Sequence, residues 1–297
     1  MNGRNLNCIL IALVALGVVF VFLKRSNLTL YANDLFSIRS DLMRSLVSCI
    51  LDVSGDTYWG KLVQNTQSCV SQYSTITDQS YLSFHMGRYG ETKVFLPFLS
   101  DYEGQCFELT IGIGGDTQVE KELHQRYPKC KIYGIEPGDD QTADFNAVGT
   151  VIPAAVGVIA GRLPMTLRRP DGGYFKKEID VVPLPELLNK YVGSNIIHFA
   201  TIDIEGFDYT LLEAFKFQQP YDAAGVLFCQ IDVELHGKDK QPQDFDFETF
   251  LPDFLADSPY VPIFATKFLG LHIKLTLIHA ESLECESAFG FSQYFPR

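Results

Sequence analysis

The chain has 297 residues, 46% of them hydrophobic and 20% charged. That is an ordinary globular composition, with room for one large domain or two small ones. The formal net charge of -12 and a sequence pI of about 4.9 exclude a nucleic-acid partner held by clustered lysines and arginines.

Residues 8–23, "CILIALVALGVVFVFL", are an uncharged apolar run with Arg4 before it and Lys24 and Arg25 after it. The run is slightly short of the roughly 17–25 residues of a spanning helix. No small-x-small cleavage site follows promptly, so an uncleaved signal anchor is expected over a cleaved signal peptide. The flanking charges nearly tie and lean towards a cytoplasmic C-terminal side. The six cysteines beyond the run (Cys49, Cys69, Cys106, Cys130, Cys229, Cys285) and the sequon Asn27-Leu28-Thr29 lean the other way. The expectation is a single-pass membrane protein of the secretory pathway (endoplasmic reticulum or Golgi) with a lumenal domain. It divides into a tail and signal anchor at 1–25, a helical stem or cover at 26–100, and an α/β domain at 101–297.

Leu35, Phe36, Ile38, Leu42, Leu46, Val47 and Ile50 recur at helical spacing and predict a helix over 33–52. A second helix is predicted over 59–70, and "STITDQS" reads as a loop. From Cys106 onward strands and helices alternate. "CFELTIGI", "CKIYGIE", "TVIPAAVGV", "NIIHFATIDI" and "GVLFCQIDVEL" are predicted strands. "DTQVEKELHQRY", "QTADFNAV", "LPELLNKY" and "FDYTLLEAFKF" are the helices between them. The strands are apolar along most of their length, as when helices cover both faces. This predicts a doubly wound, mainly parallel sheet, a Rossmann-like α/β fold. Asp171-Gly172-Gly173 predicts a β-hairpin inserted within 161–181. "YVPIFATKF" and "LGLHIKLTLIHA" read as two further strands joined through Gly270.

Such sheets bind ligands beyond the carboxyl ends of their strands, where strand order reverses. The first strand runs into "GIGGDTQVE". Gly112, Gly114 and Gly115 allow a sharp turn and a close backbone approach to a ligand. Thr117 and Glu120 have capping-box spacing. Thr117 occupies the third glycine position of a dinucleotide fingerprint, which weakens a nicotinamide reading. Glu136 ends the second strand, where an acid meets ribose hydroxyls in nucleotide folds; its competing reading is a turn residue before Pro137. "FATIDIEGFD" ends a strand in acids. Extended geometry would put Asp203 and Glu205 on one face, although acids are also common at helix starts. Asp232, Glu234 and His236 share a face by the same rule. With Asp203 they could make an oxygen-and-imidazole metal site; a lone histidine at a strand end is more often a hydrogen-bonded structural residue, and no metal is assigned. His85, His124, His198, His272 and His279 have no comparable context.

"ELTIGIGGD", "IYGIEP", "PAAVG", "FATIDIEGFD" and "CQIDVELHG" stand in the order found in FkbM-type S-adenosylmethionine-dependent methyltransferases. The chain resembles the eukaryotic branch with an N-terminal membrane anchor. The resemblance covers roughly residues 106–237, and "IDIEGFD" is its most specific piece. It implies a class I methyltransferase fold, S-adenosylmethionine as cofactor, and O-methylation of a small molecule or glycan. The implied cofactor residues are Gly112, Gly114, Gly115, Asp116, Glu136, Pro137 and Ala155. Asp203 would orient the acceptor or the cofactor amino group, with Glu205 or His236 as base. Thr110 stands where many class I members carry an acid, so backbone carbonyls or Asp116 would hold the methionine amino group. Two alternatives are a metal-dependent lumenal glycosyltransferase using Asp244 and Asp246 of "DFDFE", and a catalytically dead binding protein on the same fold. Arg168 and Arg169 in the inserted hairpin point to an anionic acceptor, or are solvated. Cys106 and Cys130 open the first two strands. Neighbouring parallel strands would bring them within disulfide reach, against the alternative of two free buried thiols.

Overall fold

The computed structural model describes residues 41–52, 58–85, 90–169, 171–237, 240–241 and 245–296. The expected signal anchor, the sequon and Asp244 lie outside these residues. Among the described residues no helix is long and apolar enough to cross a membrane.

Residues 41–51 are helical (α1) and lead to α2 (Tyr58–Tyr73). Next come a hairpin, β1 (Leu82–His85) and β2 (Thr92–Phe95), then β3 (Phe107–Ile111), α3 (Gln118–Arg126), β4 (Lys131–Ile135) and β5 (Thr150–Ile152). β6 (Ala155–Gly157), β7 (Gly161–Arg168) and β8 (Tyr174–Pro183) follow, then α4 (Leu184–Leu187), which continues as a π-helical turn to Val192. β9 (Ile196–Ile197), β10 (Phe199–Ile202), α5 (Asp208–Glu213), α6 (Pro220–Ala223), β11 (Leu227–Phe228) and β12 (Gln230–Leu235) come next. The chain closes with α7 (Phe247–Ala256), β13 (Tyr260–Phe268), β14 (His272–His279) and α8 (Leu283–Phe289).

The main sheet has seven strands in the order β13-β14-β12-β10-β3-β4-β5. β12, β10, β3, β4 and β5 run parallel, and β14 is antiparallel to both β12 and β13. The chain winds from β3 outward to β5, then returns to β10 on the other side of β3. The reversal therefore falls between β3 and β10, next to Asp203, as the sequence predicts. The inserted hairpin is present as β7 and β8, with β6 alongside β8 in a separate three-stranded sheet.

Four expectations need correction. "TVIPAAVGV" is not one strand: it breaks at Pro153 into β5 of the main sheet and β6 of the small one. Pro153 has no N–H for a continuous ladder. "QTADFNAV" forms two 3-10 turns, Asp139–Gln141 and Phe145–Ala147, in place of a helix. The capping box is not made. Thr117 Oγ1 donates to Asp144, while Asp116 Oδ1 accepts the Gln118 N–H at 3.0 Å and so performs the cap. Finally, helices do not cover the sheet alone: on one face the β1–β2 hairpin lies beside α3, whose Glu120 bonds Thr110.

The last point organises the molecule. Registers and strand alternation place Leu109, Ala200, Ile231 and Leu277 on one face, all buried and apolar. The other face carries Glu108 and Thr110 of β3, Thr201 of β10, Gln230, Asp232 and Glu234 of β12, and Lys274 and Thr276 of β14. All are buried. The β1–β2 hairpin lies on this polar face. The Val94 N–H donates to Asp232 Oδ2 (2.9 Å) and the Leu96 N–H to Gln230 Oε1 (2.7 Å). Gln230 Nε2 donates back to the Leu96 carbonyl (2.9 Å), and Thr276 Oγ1 to the Val94 carbonyl (3.0 Å). Side chains of the sheet thus satisfy backbone groups of β2 that would otherwise be buried without partners.

The main hydrophobic core runs from Met43 and Leu46 of α1 to Phe295, so the stem helices pack on the domain, and a second small cluster of Ala155, Met165 and Val181 lies in the β6–β8 sheet. Trp59 of α2 meets Phe247 of α7 edge-on at 4.8 Å. Three disulfides pair the six cysteines: Cys49–Cys69 ties α1 to α2, Cys106–Cys130 ties the starts of β3 and β4, and Cys229–Cys285 ties β12 to α8. The bridge anticipated between Cys106 and Cys130 is formed, with Cα atoms 4.4 Å apart.

Two tests follow from this packing. Lys274 is 2% exposed, 3.1 Å from Asp232, and also bonded to Glu91. Removing one partner of a buried ion pair leaves uncompensated charge and costs about 3–5 kcal/mol. Lys274→Met should lose that much in chemical denaturation; a loss below about 1 kcal/mol contradicts the assignment. His198 accepts the Phe107 N–H at Nδ1 (3.2 Å), so its other nitrogen carries the proton towards Tyr102 Oη (3.0 Å). Burial pulls its pKa from 6.5 to about 4. The unfolded chain therefore takes up this proton first. Stability is intact above about pH 6.5 and is lost as pH falls towards 4. Calorimetric Tm should fall less between pH 7 and about 4.5 for His198→Gln than for the unaltered protein; parallel curves would exclude the effect.

Candidate active site

A cavity of about 300 Å³ opens at the carboxyl ends of β3, β4, β10 and β12, at the lower end of the size range of small-molecule sites. Two loops meet there because two glycines permit it. Gly112, φ +92°, leaves β3; a Cβ on it would lie 2.0 Å from the Asp203 carbonyl oxygen. Gly206, φ +100°, follows β10; a Cβ on it would lie 2.0 Å from the Lys240 carbonyl oxygen. No other residue type fits either position without moving backbone.

One half of the cavity is the glycine-loop side. Glu136 stands at the end of β4 and is 7% exposed. Its Oε1 accepts the Gly138 N–H (2.8 Å) and its Oε2 the Gly114 N–H (3.2 Å). Burial raises its pKa, and the two N–H groups oppose that rise. Gly112, Gly114, Asp116, Pro137 and Ala155 also line this half. Gly115 is not among the lining residues; its N–H donates to the carbonyl of Gln141, which lines the cavity (2.7 Å). Behind the loop, Thr110 Oγ1 contacts Glu108 (2.8 Å) and Glu120 (2.5 Å). Both acids are raised in pKa by burial, with mutual repulsion adding to Glu108. Glu120 reaches the cavity from α3, so an acid is supplied near Thr110 after all.

The other half is acidic and is built around His236. Its Nδ1 lies 3.1 Å from Asp208 Oδ1, and Asp208, fully buried at the start of α5, also accepts the Gly206 N–H at 2.9 Å. Its Nε2 faces Asp203 (3.6 Å), Glu205 (3.7 Å) and Glu234 (3.7 Å). Burial depresses the imidazole pKa, but the Asp208 hydrogen bond and charge, with Asp203 and Glu234, outweigh it and raise the value to about 9. Glu234 is raised by burial and by Asp203, with His272 and Lys274 opposing.

Asp203 and Glu205 meet as expected, but for a different reason. β10 ends at Ile202, and Glu205 adopts a left-handed φ of +56°, so the two are not on an extended strand. The turn swings Glu205 back to Lys240 Nζ (2.8 Å) and Tyr174. Lys240 in turn stands 4.0 Å from the Tyr174 ring centroid. The helix-start reading holds for Asp208 alone, and that residue also binds the histidine.

His272, without context in the sequence, has its Nδ1 2.7 Å from Glu234 Oε1. Glu91, Lys93, Lys274 and Tyr174 are further functional neighbours that sequence reasoning missed. The signal was available in "HIKLTLIH", whose His272, Lys274 and Thr276 alternate with apolar residues; it looks like a solvated face until the β1–β2 hairpin covers it. Arg168 lines the cavity and donates to the Gly114 carbonyl (3.3 Å), whereas Arg169 stacks on Phe175 at 5.2 Å. Asp246 caps α7, accepting the Glu248 N–H (3.1 Å) and Thr249 Oγ1 (2.6 Å). It is not among the residues that line the cavity.

No curated protein matches the chain. Two solved structures that resemble it are a 16S rRNA (adenine(1408)-N(1))-methyltransferase variant from Catenulisporales acidiphilia and a SAM dependent methyltransferase from Aquifex aeolicus. The first is 10% identical, with 67% of this chain and 98% of that chain covered and a TM-score of 0.32. The second is 11% identical, covers 59% and 82%, and has a TM-score of 0.31. Similarity at that level carries no argument about activity. The family model described as "Methyltransferase FkbM domain" matches residues 77–258, a span that holds the β1–β2 hairpin, the glycine loop, Glu136, and Asp203, Glu205, Asp208, Glu234 and His236 of the acidic half. By that match the chain belongs to the FkbM methyltransferase family.

Proposed function

We propose that the protein is an S-adenosylmethionine-dependent methyltransferase acting on an oxygen of a small molecule or glycan. The observation that carries this reading is Glu136: a buried carboxylate at the end of β4, beside the glycine loop and open to the cavity. The residues present fit the cofactor. The positive-φ glycines keep the loop free of Cβ atoms, and Glu136 retains acceptor capacity for a pair of ribose hydroxyls. Glu120 and Asp116 stand near the position a methionine ammonium would take.

Bound S-adenosylmethionine supplies an electrophilic methyl group on a sulfonium. Asp203 faces the cavity and pairs with no lysine among the described residues, whereas Lys240 holds Glu205 and Asp208 holds His236, so Asp203 is the better placed to take the proton of an acceptor hydroxyl. Asp203 would hold the proton given up by the acceptor oxygen as that oxygen accepts the methyl group. Lys240 and Tyr174 hold Glu205 at the mouth, where it positions the acceptor. Three disulfides support placement of this domain in an oxidising lumen behind an N-terminal signal anchor. The Asp246 cap supplies a structural account of the residue on which a glycosyltransferase reading would depend.

Calorimetry tests the reading. Glu136→Ala should weaken S-adenosylmethionine binding about tenfold or more, since a hydrogen bond to a charged group contributes about 1.5–3 kcal/mol. Asp246→Ala should cost about 1 kcal/mol of stability through the lost cap and leave cofactor affinity unchanged. Undiminished affinity in a folded Glu136→Ala protein overturns the assignment.

A further inference from the structure

We propose that the acidic half of the cavity is a binding site for a divalent first-row transition metal, with His236 Nε2, His272 Nδ1 and the Glu234 carboxylate as ligands. The ligand atoms of these three residues lie within 4.8 Å of one another. They come from the end of β12 and the start of β14, neighbouring strands whose registry pairs Leu235 with Ile273. Rigid ladder geometry therefore places them.

Three further observations point to a cation. First, His236 is 2% exposed, and its Nδ1 is committed to Asp208. That leaves Nε2 aimed into the cluster with no hydrogen bond: the carboxylates it faces, at 3.6 and 3.7 Å, are beyond normal hydrogen-bond range. A histidine whose far nitrogen is oriented by a buried carboxylate is the usual arrangement of a metal ligand. Two atoms each about 2.1 Å from one ion stand roughly 3.0–3.7 Å apart at angles of about 90–120°, which is the spacing seen at Nε2. Second, the buried Nδ1 of His272 has no hydrogen bond although Glu234 Oε1 is 2.7 Å away. The contact is close but out of line, as between two groups converging on a third. Third, the cluster is short of positive charge. Among the described residues, the six acids Glu91, Asp203, Glu205, Asp208, Asp232 and Glu234 are met by three lysines, Lys93, Lys240 and Lys274, beside the histidine.

Two imidazoles and a carboxylate favour zinc, manganese or iron(II) over magnesium or calcium, which prefer all-oxygen sites. Three protein ligands leave a coordination position free, as in catalytic sites. Asp203, 3.6 Å from Nε2, borders that position on the cavity side. A cation there would bind the acceptor oxygen and ease its ionisation. This role for the ion rests on the methyltransferase reading; the presence of the site does not.

The test uses the full chain, stripped with a chelator and titrated separately with Zn2+, Mn2+ and Mg2+ by calorimetry. Mn2+ binding is also read by electron paramagnetic resonance. One equivalent of Zn2+ or Mn2+ should bind, Mg2+ at least tenfold more weakly. His272→Ala, at the start of β14, and Glu234→Gln should each weaken Zn2+ binding at least tenfold. Asp208→Asn, which acts through His236, should weaken it about 10–100-fold. Circular dichroism and thermal unfolding of the same variants report that they are folded. No Zn2+ or Mn2+ binding, or undiminished binding in folded His272→Ala, overturns the site. Metal binding without S-adenosylmethionine binding would retain the site and overturn only the methyltransferase reading.

Discussion

The burial of the Lys274 ammonium against Asp232 and Glu91 is the interaction on which most of this structure depends. It joins the three parts that make the acidic half: β14, which carries the lysine; β12, which carries Asp232 and Glu234; and the β1–β2 hairpin, whose residue Lys93 pairs with Glu91 at 2.6 Å. Charges so deeply buried are tolerable only as a closed set of partners. The hairpin completes that set. It also brings backbone groups that Gln230, Asp232 and Thr276 satisfy. Sheet, hairpin and acidic pocket are consequently one cooperative unit: none can be repacked without leaving charge or peptide groups unpaired.

The cavity has two chemically distinct halves because two adjacent strands end differently. β3 ends in glycines, which bring bare backbone to the cofactor side. β10 ends in "DIEG", whose turn brings carboxylates to the other side. The left-handed backbone of Glu205 is a sparsely populated conformation that costs on the order of 1–3 kcal/mol. Its ion pair with Lys240, its contact with Tyr174 and the seating of Gly206 against Lys240 hold it there. The strain is local to the site and re-aims one acid towards another, which an unstrained strand end would not do.

The disulfides sit away from this chemistry. Cys106–Cys130 closes the end of the sheet opposite the cavity, and Cys49–Cys69 and Cys229–Cys285 fasten peripheral helices. They stabilise the frame chiefly by restricting the unfolded chain and leave the loops at the carboxyl ends of the strands free to serve ligands.

Local order was readable in the residues themselves. Apolar runs bounded by turn residues located the strands of the main sheet, Asp171-Gly172-Gly173 located the inserted hairpin, and the order of glycine loop, Glu136 and "IDIEGFD" marked the cavity. Side-chain periodicity and backbone freedom are properties of short segments, so a sequence expresses them directly. What the sequence could not decide was which polar faces are buried. Gln230, Asp232, Glu234, His272 and Lys274 alternate along their strands like a solvated surface. Only the arrival of a hairpin some 140 to 180 residues earlier in the chain removes them from water. Whether an acid is a helix start, a histidine anchor or a pocket wall likewise depended on distant partners. Burial and pairing of charge are set by what packs on top, and that is decided by the tertiary structure alone.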